Sequence, residues 1–475
     1  MTPGAERLAG ERIHVIGIAG SGAAGTAVLL QHAGAAVDGC DIDAPSPYTP
    51  ALDAAGIRYV TGHDPLHLDG VTRVAITPAI RAVPGHVELA AAMVRGLEVS
   101  TWQELLGGLM RAPGRLGVAV AGTHGKSTTT ALLGHLLVAA GLDPTVEVGA
   151  FVPAWGASVR AGDGAPFVVE ADEFGDNFLN FHAAIAVITN VEMDHPDWFA
   201  DRDAVFASFE RFVHGMEPDA RVAGGRLLIA ATGGGVDELL ARVTPWDGRL
   251  VRYGPGGEVV ATDVHHERSG SRFRLFDHSF ESSLAGDHNV ANATAALLVA
   301  RELGAPVDAL EQGLRTFAGA GRRMELIADA AGVTVFDDYG HHPTEVRAAI
   351  AAARQRVGPG RRLWAVFEPH MYSRTALLLD EFARSFTGAD EVVIVDIFAS
   401  RDTPEAMRAT SAEALADAIE RISAVPTIAT GDAEATAAYV ADHVRAGDAV
   451  LVMGAGKSYR VARGVAARLT EAPVA

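Results

Sequence analysis

The chain is poor in four things, and each lack excludes something. It has a single cysteine, Cys40, in 475 residues, so no internal disulfide can form and a reducing, cytoplasmic setting is expected. No uninterrupted apolar run reaches the ~18 residues of a membrane-crossing helix, and no N-terminal stretch has a signal peptide's plan, so no membrane partner is expected. Basic residues are outnumbered, 39 against 59 acidic, for a formal net charge of −20. A general nucleic-acid binder would carry a basic face, so no nucleic-acid partner is expected either. A small phosphorylated substrate remains compatible, because a pocket can be positive inside an acidic protein. Lysine is nearly missing: only Lys126 and Lys457 break a strong arginine habit. A lysine kept against that habit asks for a reason, and Lys126 sits in the most suggestive loop of the chain.

What is present reads as an ordinary globular protein, 49% hydrophobic and 21% charged. At ~150 residues per domain the length suggests about three domains. Short β-branched runs alternate with Ala/Leu-rich helical stretches, the pattern of parallel α/β domains. Strands are expected at Ile13–Gly17, Ala36–Cys40, Leu116–Val120, Phe167–Glu170, Ala184–Thr189, Val333–Asp337, Leu363–Phe367, Glu391–Val395 and Ala449–Met453. Helices are expected over Gly25–His32 and Asn289–Leu303, with a β-leaning stretch across 221–285. Pro113-Gly114 and Gly319-Ala320-Gly321 mark the boundaries, giving domains at 1–113, 114–320 and 321–475.

Two glycine loops carry chemistry. The first contains Gly20-Ser21-Gly22 and Gly25 in G-x-G-x-x-G spacing, with Asp41 and Asp43 at the end of the next strand. Glycines there let the backbone approach a diphosphate at a helix N-terminus. Such a loop suits a nicotinamide dinucleotide or a UDP-sugar equally, and tight-turn packing alone would also explain it. The second loop, Gly122-Thr123-His124-Gly125-Lys126-Ser127-Thr128, follows a strand and opens a helix. Its backbone amides would cradle phosphates, Lys126 would reach the β/γ-phosphates and the Ser127 hydroxyl would hold Mg²⁺.

Acidic clusters then end two strands, Glu170-Ala171-Asp172-Glu173 and Asn190-Val191-Glu192-Met193-Asp194-His195-Pro196-Asp197. At the carboxyl ends of an open α/β sheet both should converge near the phosphate loop. Oxygen ligands suit Mg²⁺, whereas His195 taken by itself reads as a hydrogen-bonded loop histidine. Gly286-Asp287-His288-Asn289 could cap the following helix. Arg322-Arg323 could bring positive charge to a phosphate. Asp337-Asp338-Tyr339-Gly340-His341-His342 ends a further strand. Adjacent histidines beside carboxylates are also a zinc pattern, but no cysteine or further spaced ligand completes one there.

The ordered set GTHGKSTTT, EADE, TNVEMDH, GDHNVANA, GRRME, DDYGHHPTE and EPHMYSRT resembles the Mur ligases of peptidoglycan synthesis over nearly the whole chain, from Ile13 to about Lys457. The resemblance implies an α/β protein with Rossmann-like outer domains around a P-loop-type central ATPase domain. It implies that UDP-N-acetylmuramate, ATP and L-alanine are the small-molecule substrates, that the enzyme is a monomer or homodimer, and that Mg²⁺ is required, with Mn²⁺ as a substitute. Gly20, Ser21, Gly22 and Asp41 would then serve the UDP-sugar. Gly122 to Thr128, Asn289, Asn292, Arg323 and Asp338 would serve ATP. Ser127, Glu170 and His195 would ligate metal, and Tyr339, His342, His370 and Arg374 would face the incoming amino acid. Lys126, His195, Arg323 and His342 are the candidate catalytic residues.

The implied reaction follows from need: a carboxylate does not react with an amine at neutral pH, so ATP first converts it to an acyl phosphate. Three departures from the family pattern concern the amine rather than ATP. Met371 stands where an arginine is common, Phe174-Gly175-Asp176-Asn177 where a Ser-Asp pair is usual, and Pro196-Asp197-Trp198 where Leu-Asp-Tyr is usual. Four other readings compete: a ligase that adds a ready-made tripeptide to the same UDP-sugar, a related Mur ligase with a different amino acid, a nicotinamide dehydrogenase using Gly20–Gly25, and a non-catalytic UDP-sugar or ATP sensor.

Overall fold

A computed structural model describes residues 8–81 and 83–471; the outer ends of the first and third expected domains lie outside them. By contacts the chain forms two compact units. One holds the residues up to Glu192, Phe206–Val260 and Asn292–Ala318, and the other holds Met193–Val205, Ala261–Ala291 and the residues from Gly319. The Pro113-Gly114 interruption thus falls inside the first unit.

The first unit contains two sheets. Strands β1 (Arg12–Ile16), β2 (Ala36–Asp41), β3 (Arg58–Thr61), β4 (Arg73–Ile76) and β5 (Glu98–Thr101) pair in the order β3-β2-β1-β4-β5, all parallel. Such a sheet reverses its winding between β1 and β4, where doubly wound folds bind ligands at the carboxyl ends of strands. The second sheet uses β6 (Leu116–Ala121), β7 (Thr145–Val152), β8 (Ala157–Arg160), β9 (Pro166–Ala171), β10 (Ile185–Ile188), β11 (Leu227–Ala231) and β12 (Arg249–Tyr253). Their order is β12-β11-β10-β6-β9-β7-β8, with only β8 antiparallel. Strand β6 is buried at every position, as a central parallel strand covered on both faces must be.

The second unit contains a small antiparallel sheet, β13 (Thr262–Glu267), β14 (Gly270–Leu275) and β15 (His278–Ser282). It also contains β16 (Glu325–Ala330), β17 (Val333–Asp338), β18 (Leu363–Phe367), β19 (Glu391–Val395), β20 (Thr427–Gly431) and β21 (Ala449–Met453), ordered β16-β17-β21-β18-β19-β20 with only β16 antiparallel. Among the described residues no helix is long and apolar enough to cross a membrane.

Local structure departs from the sequence expectations in two places. The first helix runs Ser21–His32, starting before the expected Gly25, so Gly22 as well as Gly25 lies inside it. A Cβ on Gly22 would come within 2.5 Å of the Trp102 ring, and one on Gly25 within 3.3 Å of Val159. These two glycines therefore admit close packing, while Gly20 meets nothing nearer than 3.6 Å. The 221–285 stretch holds five strands, but a helix, Val236–Val243, interrupts them.

Candidate functional site

In the first unit the turn after β1 begins with Gly17, whose φ of +85° and approach to Thr77 require glycine. Asp41, the last residue of β2, accepts a hydrogen bond from the Ala19 amide at 3.1 Å and so fixes the loop from beneath. Gly20 is the N-cap of the following helix. The Ser21 hydroxyl there is buried and makes no hydrogen bond within the protein. An orphaned hydroxyl at a helix N-terminus is the kind of donor an anionic or sugar oxygen satisfies.

The second loop follows β6 and opens the helix Lys126–Ala139. Gly122 and Gly125 have φ of +134° and +83°, a region that β-carbons disfavour. Asn292 lies against this turn: a Cβ on Gly125 would fall 2.5 Å from its Oδ1. The loop is also clamped from β10. The His124 amide donates to Asn190 Oδ1 at 2.8 Å, and Thr189 Oγ1 and Asn190 Nδ2 both donate to the His124 carbonyl, at 2.6 and 3.0 Å. Thr123 Oγ1 accepts from the Glu192 amide at 2.9 Å, and Thr128 is buried in the helix's first turn.

Lys126 donates to the carbonyls of Gly122 and Thr123, at 2.7 and 3.1 Å, and to Glu173 at 2.7 Å. Burial alone would lower its ammonium pKa, but Glu173 and Asp172 overcome that and raise it, so the positive charge is secure. Ser127 Oγ donates to Glu170 Oε1 at 2.9 Å, and the other Glu170 oxygen accepts from the Gly149 amide at 2.6 Å. Strand register explains the pairing, since Glu170 sits opposite Val120 at the end of β6. Nearby Glu147 is 2% exposed; burial first, then the charges of Glu170 and Asp172, push its carboxyl well above the usual range. A hydroxyl and a carboxylate in contact, with further carboxylates close by, form an oxygen-only setting that suits a hard divalent cation.

In the second unit Asp194, His195, His370 and Arg374 come together. Arg374 is 1% exposed and Asp194 is 5%, and Nη2 meets Asp194 Oδ1 at 2.6 Å. The guanidinium also approaches His195 Nδ1 at 3.5 Å and His370 Nδ1 at 3.3 Å. Arg374 is thus committed to a buried ion pair, and its Nε is buried without a hydrogen-bond partner. Burial and the nearby His341, Arg374 and Arg401 bring His370 down to about 2; burial, with Arg374 adding to it, brings His341 down to about 4. Both imidazoles are neutral at physiological pH.

His342 is the N-cap of the helix Pro343–Val357: its Nδ1 accepts from the Thr344 amide at 3.3 Å in a capping box closed by Glu345. Asp338 holds the turn after β17, accepting from the amides of Gly340 and Met324 at 2.7 and 2.9 Å. Tyr339 stacks beside both Arg322 and Arg323, at 5.1 and 5.2 Å from its ring centre. Arg322 is bonded to Asp337, to the Gly454 carbonyl and to Ser458, whereas Arg323 lies 3.8 Å from Glu345. Asn289 donates to the Ala285 carbonyl at 2.7 Å. Asp287 is the first residue of its helix, and its carboxylate pairs with the His266 ring at 2.8 Å. Met371 is 1% exposed with φ +71°, so it is a packed residue that opens the helix Tyr372–Leu377.

Sequence reasoning assigned no individual role to Asp194, Glu173 or Asn190 and did not name Glu147. Asp194 and Glu173 lie inside motifs that were visible, but nothing in the pattern shows which basic residue each would meet.

Comparison with known proteins places these features in a family. The Mur ligase catalytic domain matches residues 12–113, the Mur ligase middle domain 120–300 and the Mur ligase glutamate ligase domain 322–456. Among curated relatives, a UDP-N-acetylmuramate–L-alanine ligase of Kineococcus radiotolerans is 41% identical over 94% of this chain and 93% of its own. One of Mycolicibacterium smegmatis is 40% identical over 94% and 92%. Among solved structures, a UDP-N-acetylmuramate–alanine ligase of Thermotoga maritima superposes with TM-score 0.76 at 22% identity, covering 96% of this chain and 98% of that one. A murein peptide ligase of Psychrobacter arcticus superposes with TM-score 0.68 at 25% identity, covering 98% and 99%.

Proposed function

The chain belongs to the Mur ligase family, and from that premise we propose how it works. It is an ATP-dependent ligase that joins L-alanine to the carboxylate of UDP-N-acetylmuramate in peptidoglycan precursor synthesis. The observation that carries this is the identity of about 40% with ligases of that name across 94% of the chain. We assign the UDP-sugar to residues 1–113, ATP to 114–320 and the amino acid to 321–475, and we place the enzyme in the cytoplasm.

The chemistry assigns tasks to the residues. The carboxylate of UDP-N-acetylmuramate attacks the γ-phosphorus of ATP; the bond to the ADP oxygen breaks and an acyl phosphate forms. Lys126 neutralises charge on the transferring phosphoryl group, and the Gly122–Thr128 backbone orients it. On binding ATP, Lys126 exchanges its loop carbonyls for phosphate oxygens. Ser127 and Glu170 would hold Mg²⁺, and His195 a second ion; Mg²⁺, when bound, supplies charge neutralisation on the phosphates. Asn289, Asn292, Arg323 and Asp338 are assigned to the nucleotide. Gly20, Ser21, Gly22 and Asp41 are assigned to the UDP-sugar, which the unpaired Ser21 hydroxyl supports.

The alanine amine, once deprotonated, attacks the acyl carbon; the tetrahedral intermediate collapses and inorganic phosphate leaves. Tyr339, His342, His370 and Arg374 are assigned to this step. The neutral state of His370 leaves Arg374 as the local positive charge, and Asp194 balances it. A carboxylate labelled with heavy oxygen tests the route. The released phosphate should carry one labelled oxygen per turnover, and unlabelled phosphate would refute the acyl phosphate.

A further inference from the structure

Next to the first glycine loop, whose Gly17 and Ile18 amides donate to the Cys40 carbonyl at 2.8 and 3.1 Å, the first sheet buries a polar cluster to which no step of the ligase reaction assigns a role. It gathers around the only cysteine. His14 on β1, Cys40 on β2, His67 beyond β3 and Glu88 on the helix Val87–Val94 place one ligand atom each within 4.8 Å of all the others. Register explains half of this: His14 pairs with Asp38 across β1 and β2, and Cys40 lies two residues further on the same face. Cys40 and Glu88 are fully buried and His14 is 2% exposed, with Ile16, Leu68, Val71, Ile76 and Ala92 packed around the same side of the sheet.

The separations are those of a small coordination sphere. Cys40 Sγ lies 3.3 Å from His14 Nε2 and 3.0 and 3.3 Å from the two Glu88 oxygens. His14 Nε2 is 3.7 Å from Glu88 Oε1, and His67 Nδ1 is 2.7 Å from it. Ligands about 2.0–2.3 Å from a tetrahedral Zn²⁺ stand about 3.3–3.8 Å apart, so the His67–Glu88 hydrogen bond must open while the Cys40–His14 and His14–Glu88 separations already fit. The surroundings are also those of a metal site. The other His14 nitrogen is held by Asp38 Oδ1 at 2.6 Å, the carboxylate–histidine arrangement that fixes a ligand's tautomer and orientation. His63 Nδ1 braces Glu88 Oε2 at 2.9 Å. His67, at 26% exposure, leaves an entry path.

We propose that this cluster is a structural zinc site, with Cys40 Sγ, His14 Nε2, His67 Nδ1 and one Glu88 oxygen as its four ligands. One thiolate, two imidazoles and a carboxylate select a borderline-soft transition metal over Mg²⁺. Four protein ligands close the sphere, so the ion ties β1, β2, the loop after β3 and the helix Val87–Val94 together and performs no chemistry. On binding, the Cys40 S–H bond breaks, its proton passes to solvent and an Sγ–metal bond forms.

The test uses the full-length, untagged protein, stripped with a chelator and titrated with Co²⁺. One Co²⁺ per chain should give a near-ultraviolet thiolate-to-cobalt band together with intense tetrahedral visible bands, and equimolar Zn²⁺ should abolish both. Cys40→Ser should lose the near-ultraviolet band. His67→Gln, altering the most exposed ligand, should weaken the visible bands. Asp38→Asn should retain the spectrum while lowering Zn²⁺ affinity about 10–100-fold. Absence of the band in the wild type, or its survival in Cys40→Ser, would overturn the proposal.

Discussion

The Asp194–Arg374 pair offers the sharpest test of how the second unit is built. Both groups are almost fully buried, and their charged atoms meet at 2.6 Å. Removing one partner of a buried pair leaves an uncompensated charge and costs about 3–5 kcal/mol, whereas replacing both groups is often nearly neutral. Asp194→Asn keeps a hydrogen-bond acceptor beside Arg374, so its cost should lie near about 3 kcal/mol. Arg374→Met strands the Asp194 carboxylate, which keeps the His195 amide at 2.6 Å and the His195 ring at 3.9 Å but loses its buried guanidinium, and should cost about as much. The double variant should cost no more than either single one, a coupling of at least about 2 kcal/mol. Urea unfolding read by hydrogen exchange in β17 and β18 reports this unit by itself. The pH dependence follows from the same pair. Burial alone would raise the Asp194 carboxyl, but Arg374 and the neighbouring imidazoles hold it far below the carboxylate range. A depressed folded pKa gives stability that is fully present above the unfolded value of ~4 and is lost as pH falls below it. The wild type should therefore lose stability below about pH 4 more steeply than the double variant. Additive single-variant costs, within about 0.5 kcal/mol, would refute the reasoning.

Other consequences are equally concrete. Lys126→Ala should lower kcat about 10²–10³-fold with intact UDP-sugar binding, measured by steady-state kinetics and calorimetry. Gly22→Ala should destabilise the first unit by about 1–3 kcal/mol, because its Cβ would strike Trp102; Trp102→Leu in the same chain should recover most of that in thermal melts. His342→Ala should cost about 0.5–2 kcal/mol through the lost cap, while His342→Asn should keep the stability. A fall in kcat in the asparagine variant would then mark a role at the reacting groups beyond capping. Ser127→Ala should raise the Mg²⁺ concentration needed for half-maximal rate while leaving the Glu170 contact with the Gly149 amide in place.

Much of the architecture was legible because it is local. Short apolar runs ending in glycine loops or acidic clusters identify parallel strands and the sheet edge where chemistry gathers, and β6, β9 and β10 deliver the Gly122–Thr128 loop, Glu170 and Asn190 to that edge. What escaped was decided by partners distant in sequence. The first helix begins at Ser21, and Trp102 packs over Gly22 and Val159 over Gly25, so glycine inside this helix reports close packing. Arg374 reads as a free guanidinium until the fold sets Asp194 against it. A lone cysteine signals nothing until β1, β2 and the helix Val87–Val94 bring His14 and Glu88 to it.

The measurement that bears most directly on the central claim is phosphate release from the purified protein with ATP, Mg²⁺ and UDP-N-acetylmuramate. L-alanine, L-serine, glycine or the murein tripeptide would be supplied in separate reactions. Release that depends on L-alanine, with a product heavier than UDP-N-acetylmuramate by one alanyl residue, is the predicted result. Release only with the tripeptide, or no release with any amine while ATP remains bound, would contradict it.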